Sequence, residues 1–172
     1  WSSDVCSSDL IPALVKLAQE NPGITHIHFQ ALSNLGPYDP HWYKESPLWP
    51  EPEQAIELLD WLTKHQKGEK RKKKRPVTIS NPLEQLESMK AYFLSPDTEN
   101  ESQCTIDSTG YTLDAMGNLY YCPFKNPIGN VRNRKAQDLL QGSSVPIRIE
   151  EIRSCENLAC HLRTNCCFET ET

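Results

Sequence analysis

The chain has 172 residues, of which 37% are apolar and 24% charged, and its formal net charge is −5. The apolar content is enough for a folded core, which excludes a chain that is disordered throughout, and the acidic balance gives no general attraction to nucleic acid. No apolar run approaches the roughly 20 residues that cross a bilayer. We therefore expect a soluble, cytoplasmic protein without a membrane partner.

The first ten residues, WSSDVCSSDL, have neither the basic nor the apolar region of a signal peptide. They resemble translated junction sequence at the end of an assembled gene fragment. We therefore leave residues 1–10, including Cys6, out of the fold prediction. We expect the chain from Ile11 onward to be the C-terminal portion of a longer protein.

Helices and strands alternate between residues 11 and 95. Apolar periodicity and breaker residues predict, in order, a helix over 11–20, a strand over 24–31, a turn-rich loop over 33–50, a helix over 51–66 that ends at Gly68, a strand over 76–80 and a helix that Asn81 caps. This alternation predicts an α/β fold with parallel strands covered by helices.

The first predicted strand carries His26, His28 and Gln30 on one face. On an open sheet these polar side chains would simply face solvent. In a parallel barrel they would point toward its interior or mouth, where a cofactor or substrate binds. The sequence alone leaves both interpretations open.

The basic run over residues 67–75 (KGEKRKKKR) is either a phosphate or RNA contact or a solvated connection between a helix and the next strand. It contains no aromatic residue on which a base could stack. We favour the solvated connection and do not expect a nucleic-acid partner.

The pattern changes after residue 96, where a polar linker over 97–103 leads into a cysteine-rich region. Two short β-runs, over residues 111–114 and 119–122, flank Ala-Met-Gly-Asn and predict a β-hairpin. One helical turn is predicted over 137–140. The tail from Ile152 onward is too short and cysteine-rich to form a core without a crosslink.

Six of the seven cysteines lie beyond residue 103, at Cys104, Cys122, Cys155, Cys160, Cys166 and Cys167. Their spacing fits a pair of zinc knuckles poorly, and the adjacent final pair is an awkward disulfide donor set. Thiolates gathered from distant segments are compatible with an iron–sulfur cluster, which commonly takes four. A zinc-stabilised peptide- or RNA-binding module and an exported disulfide protein stay open as alternatives.

Part of this region resembles the auxiliary-cluster domain of radical S-adenosylmethionine (SAM) enzymes, of the SPASM or shorter twitch type. The resemblance rests on Cys104, Gly110, Tyr111-Thr112-Leu113-Asp114, Gly117-Asn118-Leu119-Tyr120-Tyr121-Cys122-Pro123, Ile128-Gly129-Asn130-Val131 and the cysteine tail. It implies two domains: residues 11–95 as the last units of a partial (β/α) barrel and residues 96–172 as a cluster domain.

The resemblance also implies an auxiliary 4Fe-4S cluster bound by Cys104, Cys122 and two of Cys155, Cys160 and Cys166, with Cys167 as a spectator. It places His28 and Gln30 on the SAM or substrate side of the barrel. The family's C-x3-C-x2-C motif is absent from the sequence. SAM cleavage would therefore require a second 4Fe-4S cluster elsewhere in the parent enzyme, an electron donor such as flavodoxin or ferredoxin, and a peptide or small-molecule substrate.

Overall fold

A computed structural model describes residues 10–34, 39–69, 77–98, 104–157, 160 and 162–166. The chain divides into two compact units. The first contains residues 10–32 and 41–97, and the second contains the cysteine-rich region. The described residues form a mixed α/β structure with a two-stranded parallel sheet and a three-stranded antiparallel sheet, neither of which closes into a barrel.

The first unit alternates helix and strand. Its elements are α1 (Leu10–Glu20), β1 (His26–Ile27), α2 (Pro52–Glu69), β2 (Thr78–Ile79) and α3 (Leu83–Leu94). The strands β1 and β2 pair in parallel, with His26 opposite Thr78 and Ile27 opposite Ile79. The predicted parallel arrangement is therefore confirmed, although both strands are shorter than their sequence patterns suggested.

The core of the first unit lies between α2, α3 and the sheet. Helices α2 and α3 direct Leu59, Leu62, Leu86 and Met89 into it, each no more than 4% exposed. The loop before α2 adds Trp49, whose ring lies 5.3 Å from that of Tyr92 and 5.2 Å from that of Phe93. The turn-rich loop is thus anchored to the core by an aromatic side chain.

Two details of the first unit differ from the sequence prediction. Helix α2 continues through Gly68 to Glu69 instead of ending at the glycine. The residue before α3 is Pro82, and no side chain caps that helix. Asn81 is 1% exposed and bonds elsewhere: its amide nitrogen donates to the carbonyl of Phe29 at 2.7 Å, and its oxygen accepts from the Phe29 N–H at 2.8 Å.

The basic run lies mostly outside the described residues. Lys67 and Gly68 belong to α2, and residues 70–75 are not among those the structure describes. Among the described helices, none has the length and apolar character of a bilayer-spanning segment.

The second unit contains the antiparallel sheet and four short helices. Its elements are α4 (Ile106–Thr109), β3 (Thr112–Leu113), β4 (Asn118–Tyr120), β5 (Gly129–Asn130), α5 (Ala136–Leu140), α6 (Ser144–Arg153) and α7 (Arg163–Cys166). The strands β3 and β4 form the predicted hairpin, and β5 pairs with the other edge of β4. Ile106, Leu119, Ile128, Leu139 and Ile152 form its core.

Gly129 of β5 packs closely against Leu139 of α5. A Cβ built on Gly129 would lie 2.4 Å from the Leu139 side chain, whereas one on Gly110 would meet nothing within 4 Å. We expect Gly129→Ala to lower the free energy of unfolding by about 1–3 kcal/mol, the usual cost of overpacking a core. Urea unfolding followed by near-UV circular dichroism of the tyrosines checks this value. Gly110→Ala is the control, and an equal loss in both variants would contradict the packing explanation.

Candidate metal centre

Four of the predicted cysteine ligands line one cavity. Cys104, Cys122, Cys155 and Cys160 surround a volume of about 260 Å³ in the second unit. All four are partly buried. They come from three segments of the chain, namely the residues before α4, the end of the hairpin, and the stretch that follows α6.

Each segment is held by contacts of its own. Ile106 and Ile152 pack in the same core as the partly buried Cys104 and Cys122, and they also line the cavity. Arg153 at the end of α6 lies 3.4 Å from the Asp107 carboxylate of α4. The Cys155 N–H donates to the Ile152 carbonyl at 3.1 Å, which turns the chain back toward the cavity as α6 ends.

The hairpin that leads to Cys122 is organised by Asp114. One carboxylate oxygen accepts the backbone N–H groups of Met116 and Asn118 at 2.9 and 2.8 Å. The other accepts the Asn118 side chain at 2.9 Å and the Tyr120 hydroxyl at 3.1 Å. These bonds, led by that of the Asn118 side chain, lower the pKa of the Asp114 carboxyl group. The aspartate of the motif therefore holds the turn together.

The other motif residues complete the same network. Gly117 has a φ of 87°, a left-handed conformation that glycine adopts without strain. The Asn130 side chain donates to the Met116 carbonyl at 3.1 Å and to the Asn118 side-chain oxygen at 2.8 Å. The Gly-Asn pair of β5 thus fixes the hairpin turn, and Cys122 follows two residues after β4.

We expect Asp114→Asn to destabilise the second unit. The substitution replaces one carboxylate oxygen by an NH2 group, which cannot accept the hydrogen bonds that Asn118 and Tyr120 donate. The folded carboxyl has a pKa below its ordinary value of 3.8, so its contribution is present above that pH and disappears as pH falls through the folded pKa. The difference in thermal midpoint between the two proteins should therefore be constant from neutral pH down to about pH 5 and shrink below it.

Asp138→Asn, at an exposed position in α5, is the control for this comparison. A difference between wild type and Asp114→Asn that stays the same at acidic pH would contradict the proposed role of the carboxylate.

The cavity surroundings act on two thiols in opposing directions. Burial raises the pKa of the Cys122 thiol and nearby Cys155 adds to this, while backbone N–H groups of Phe124 and Lys125 lower it. Burial likewise raises the pKa of Cys160, with a further contribution from Cys122, against the N–H groups of Leu162 and Arg163. Burial is the larger effect, so the pKa of both thiols lies above its ordinary value. The N–H groups stabilise thiolates, the form that binds metal.

The four thiols line a cavity and do not all lie around a single point. Among the residues that the structure describes, no three His, Cys, Asp or Glu side chains are placed to hold one metal ion. Four thiolates on a single zinc ion each lie about 2.3 Å from the metal. In a four-iron cluster each thiolate binds a different iron, so the sulfur atoms can stand farther apart. Four soft thiolate donors around one cavity are a donor set that a 4Fe-4S cluster can take.

The remaining predicted ligands are not assigned to the cavity. Cys166 ends α7, but its side chain lies outside the described part of the chain, as does all of Cys167. Sequence reasoning did not anticipate Phe124, Asn157 and Arg163, which also line the cavity. The signal for Arg163 was its position three residues after Cys160, the same interval that separates Lys125 from Cys122.

His28 and Gln30 lie in the first unit, just beyond the carboxyl end of β1, and both are exposed. His28 Nδ1 lies 3.2 Å from the Ser80 hydroxyl at the end of β2, and partial desolvation of the otherwise exposed ring lowers its pKa. Gln30 borders a different, mainly apolar cavity of about 170 Å³ between the sheet, α2 and α3. The two residues therefore share a strand end but not one described cavity.

No protein-family model, curated protein or solved structure matches this chain.

Proposed function

We propose that this chain is the C-terminal, auxiliary-cluster portion of a radical SAM enzyme and binds one 4Fe-4S cluster. The observation that carries the proposal is the convergence of Cys104, Cys122, Cys155 and Cys160 on one cavity. The backbone N–H groups aimed at Cys122 and Cys160 support it, because hydrogen bonds to thiolates are a general feature by which proteins tune such clusters.

The number of thiols bears on what the cluster would do. Four cysteines supply one ligand to each of four irons and leave none open for a substrate. A cluster bound in this way supplies one-electron chemistry. The residues of this chain hold it, and the apolar side chains of Ile106, Phe124 and Ile152 limit its access to water. We therefore favour electron transfer over direct binding of substrate.

In this proposal the first unit forms the last units of a partial (β/α) barrel. Parallel β1 and β2, connected through α2 and followed by α3, are the repeated arrangement of such a fold. Ligands of parallel α/β sheets bind beyond the carboxyl ends of the strands. His28 and Gln30 lie there, so we assign them to the side that faces SAM or substrate.

The sequence contains no C-x3-C-x2-C triplet. Reductive cleavage of SAM would therefore depend on a second 4Fe-4S cluster bound by residues outside this sequence, reduced by a donor such as flavodoxin or ferredoxin. The substrate would be a peptide or small molecule.

Metal analysis of the 172-residue chain tests the proposal. We expect protein purified without oxygen, and reconstituted with iron and sulfide, to hold about four irons and four acid-labile sulfides per chain. About one tightly bound zinc and no sulfide would instead identify a zinc-stabilised binding module. Native protein that holds no metal and shows no free thiols would identify a disulfide protein, and either outcome would overturn the cluster proposal.

A further inference from the structure

Two cationic side chains line the cavity of the four thiols. These are Arg163 and Lys125. Arg163 is only 4% exposed, whereas Lys125 is partly buried. A guanidinium keeps its charge at any accessible pH, and burying it costs free energy unless negative charge lies nearby. Arg163 therefore places a buried positive charge in the wall of the cavity that the four thiols line.

The two cations belong to the same local structure, which occurs twice. In each case a cysteine is followed after three residues by a basic residue, in Cys122-Pro123-Phe124-Lys125 and Cys160-His161-Leu162-Arg163. The Lys125 N–H donates to the Cys122 carbonyl at 3.0 Å, and the Arg163 N–H donates to the Cys160 carbonyl at 3.1 Å. Both turns bring the basic residue back beside its cysteine.

In each turn the last two residues also interact with the cysteine sulfur through their backbone N–H groups. Burial raises the pKa of Cys122 and Cys160, and the backbone N–H groups of those two turn residues together with the basic side chain act in the opposite direction. The two turns therefore place one positive charge beside each of two cysteines that line the cavity.

We propose that these two Cys-x-x-Lys/Arg turns are a charge-compensating device that stabilises the reduced state of the bound cluster, with Arg163 as the stronger cation. This inference rests on the proposed cluster. Reduction adds one electron to a group that four thiolates already make anionic, and no bond forms or breaks. Nearby positive charge favours the more negative state, and its effect is largest where water is excluded. Arg163 is the more deeply buried of the two cations, so its charge is screened least.

Redox titration of the reconstituted full chain with dithionite, followed by visible absorption and electron paramagnetic resonance, tests this role. Iron and sulfide are measured first, because a wild-type chain without them defeats the cluster proposal itself and not merely this inference. Side-chain substitution leaves the backbone N–H groups in place, so it isolates the effect of charge.

We expect Arg163→Gln to shift the equilibrium about tenfold toward the oxidised cluster at a fixed potential, which corresponds to about 59 mV for one electron. Lys125→Gln should shift it about threefold in the same direction, because a partly exposed charge is screened. Arg163→Lys keeps the charge and should retain most of the wild-type equilibrium. Arg134→Gln removes an exposed arginine of the same unit and should change it less than twofold.

An Arg163→Gln protein with full iron and sulfide but an unchanged potential would overturn the inference. If that variant fails to assemble a cluster, the redox equilibrium of Lys125→Gln tests the inference instead. A shift of threefold or more toward the oxidised state upholds the charge-compensating role, and a smaller one overturns it.

Discussion

Serine in place of Cys104, Cys122, Cys155 or Cys160 will remove most of the bound iron and acid-labile sulfide, from about four of each to less than one per chain. A serine hydroxyl differs from cysteine by one atom, but it is a hard donor that stays protonated near neutral pH, whereas iron–sulfur clusters select soft thiolates. Metal and sulfide analysis of each variant, reconstituted side by side with wild type, gives the measurement.

The remaining cysteines supply matched controls for this experiment. Cys6→Ser and Cys167→Ser should keep the full cluster, since neither residue is among the proposed ligands. Cys166→Ser separates the set that lacks Cys166 from the two sets, among the three that the sequence allowed, that include it. Loss of the cluster in this variant, together with full retention in Cys155→Ser or Cys160→Ser, would show that the four-cysteine set is wrong.

Loss of the cluster should also lower stability. A group that binds only the folded chain stabilises it by mass action. Ile152, next to the cavity, is also a core residue of the second unit. We therefore expect the metal-free chain to lose near-UV circular dichroism from the tyrosines of that unit at a lower temperature than the loaded chain.

The sequence predicted the layout of the first unit well because apolar periodicity reports directly on which side chains are buried. Helices α1, α2 and α3 and the parallel strands all follow this signal. The predicted end of α2 at Gly68 was wrong. Gly68 is exposed, and a Cβ added there would meet nothing within 4 Å, so nothing in the packing requires a glycine at this position. At such a position glycine costs a helix only about 1 kcal/mol, too little to terminate it.

The second unit was less predictable because its helices are short and irregular. Helix α6 was missed, since Pro146 and the alternation of Val145, Ile147 and Ile149 do not suggest one. Proline is tolerated there because the first turn of a helix has no acceptors for its N–H groups. The clustering of cysteines in the sequence pointed to a site, but the choice of Cys155 and Cys160 as cavity residues depends on where α6 ends.

The local pattern around Asn81 predicted a helix cap. In the structure its side chain instead bonds to Phe29, which lies 52 positions away in the sequence. Its side-chain amide bonds both backbone groups of Phe29, and so it extends the pairing of β1 and β2 by one step where the backbone itself stops pairing. It also donates to Gln85 at 3.0 Å, another side chain that is 1% exposed. No local sequence signal distinguishes this arrangement from a cap.

Asn81→Ala should therefore lower the free energy of unfolding of the first unit by about 2–4 kcal/mol, since it leaves an N–H and a carbonyl of Phe29 without their partner. The described tryptophans, Trp42, Trp49 and Trp61, all lie in that unit, so urea unfolding followed by tryptophan fluorescence measures the loss. Asn21→Ala, at an exposed asparagine that bonds only locally to Gly23, should cost less than about 1 kcal/mol.

Asn81→Asp provides a sharper test because it keeps the shape of the side chain. A carboxylate could still accept from the Phe29 N–H but would face the Phe29 carbonyl without a proton to donate, in a site that excludes water. The folded-state pKa of the introduced carboxyl group should therefore lie above its unfolded value, and its destabilising effect should diminish as pH falls through that raised pKa. Unfolding at pH 7 and pH 5 should show the smaller loss at pH 5. A loss that is equal at both pH values, or below about 1 kcal/mol for Asn81→Ala, would show that Asn81 does not hold the two strand ends together.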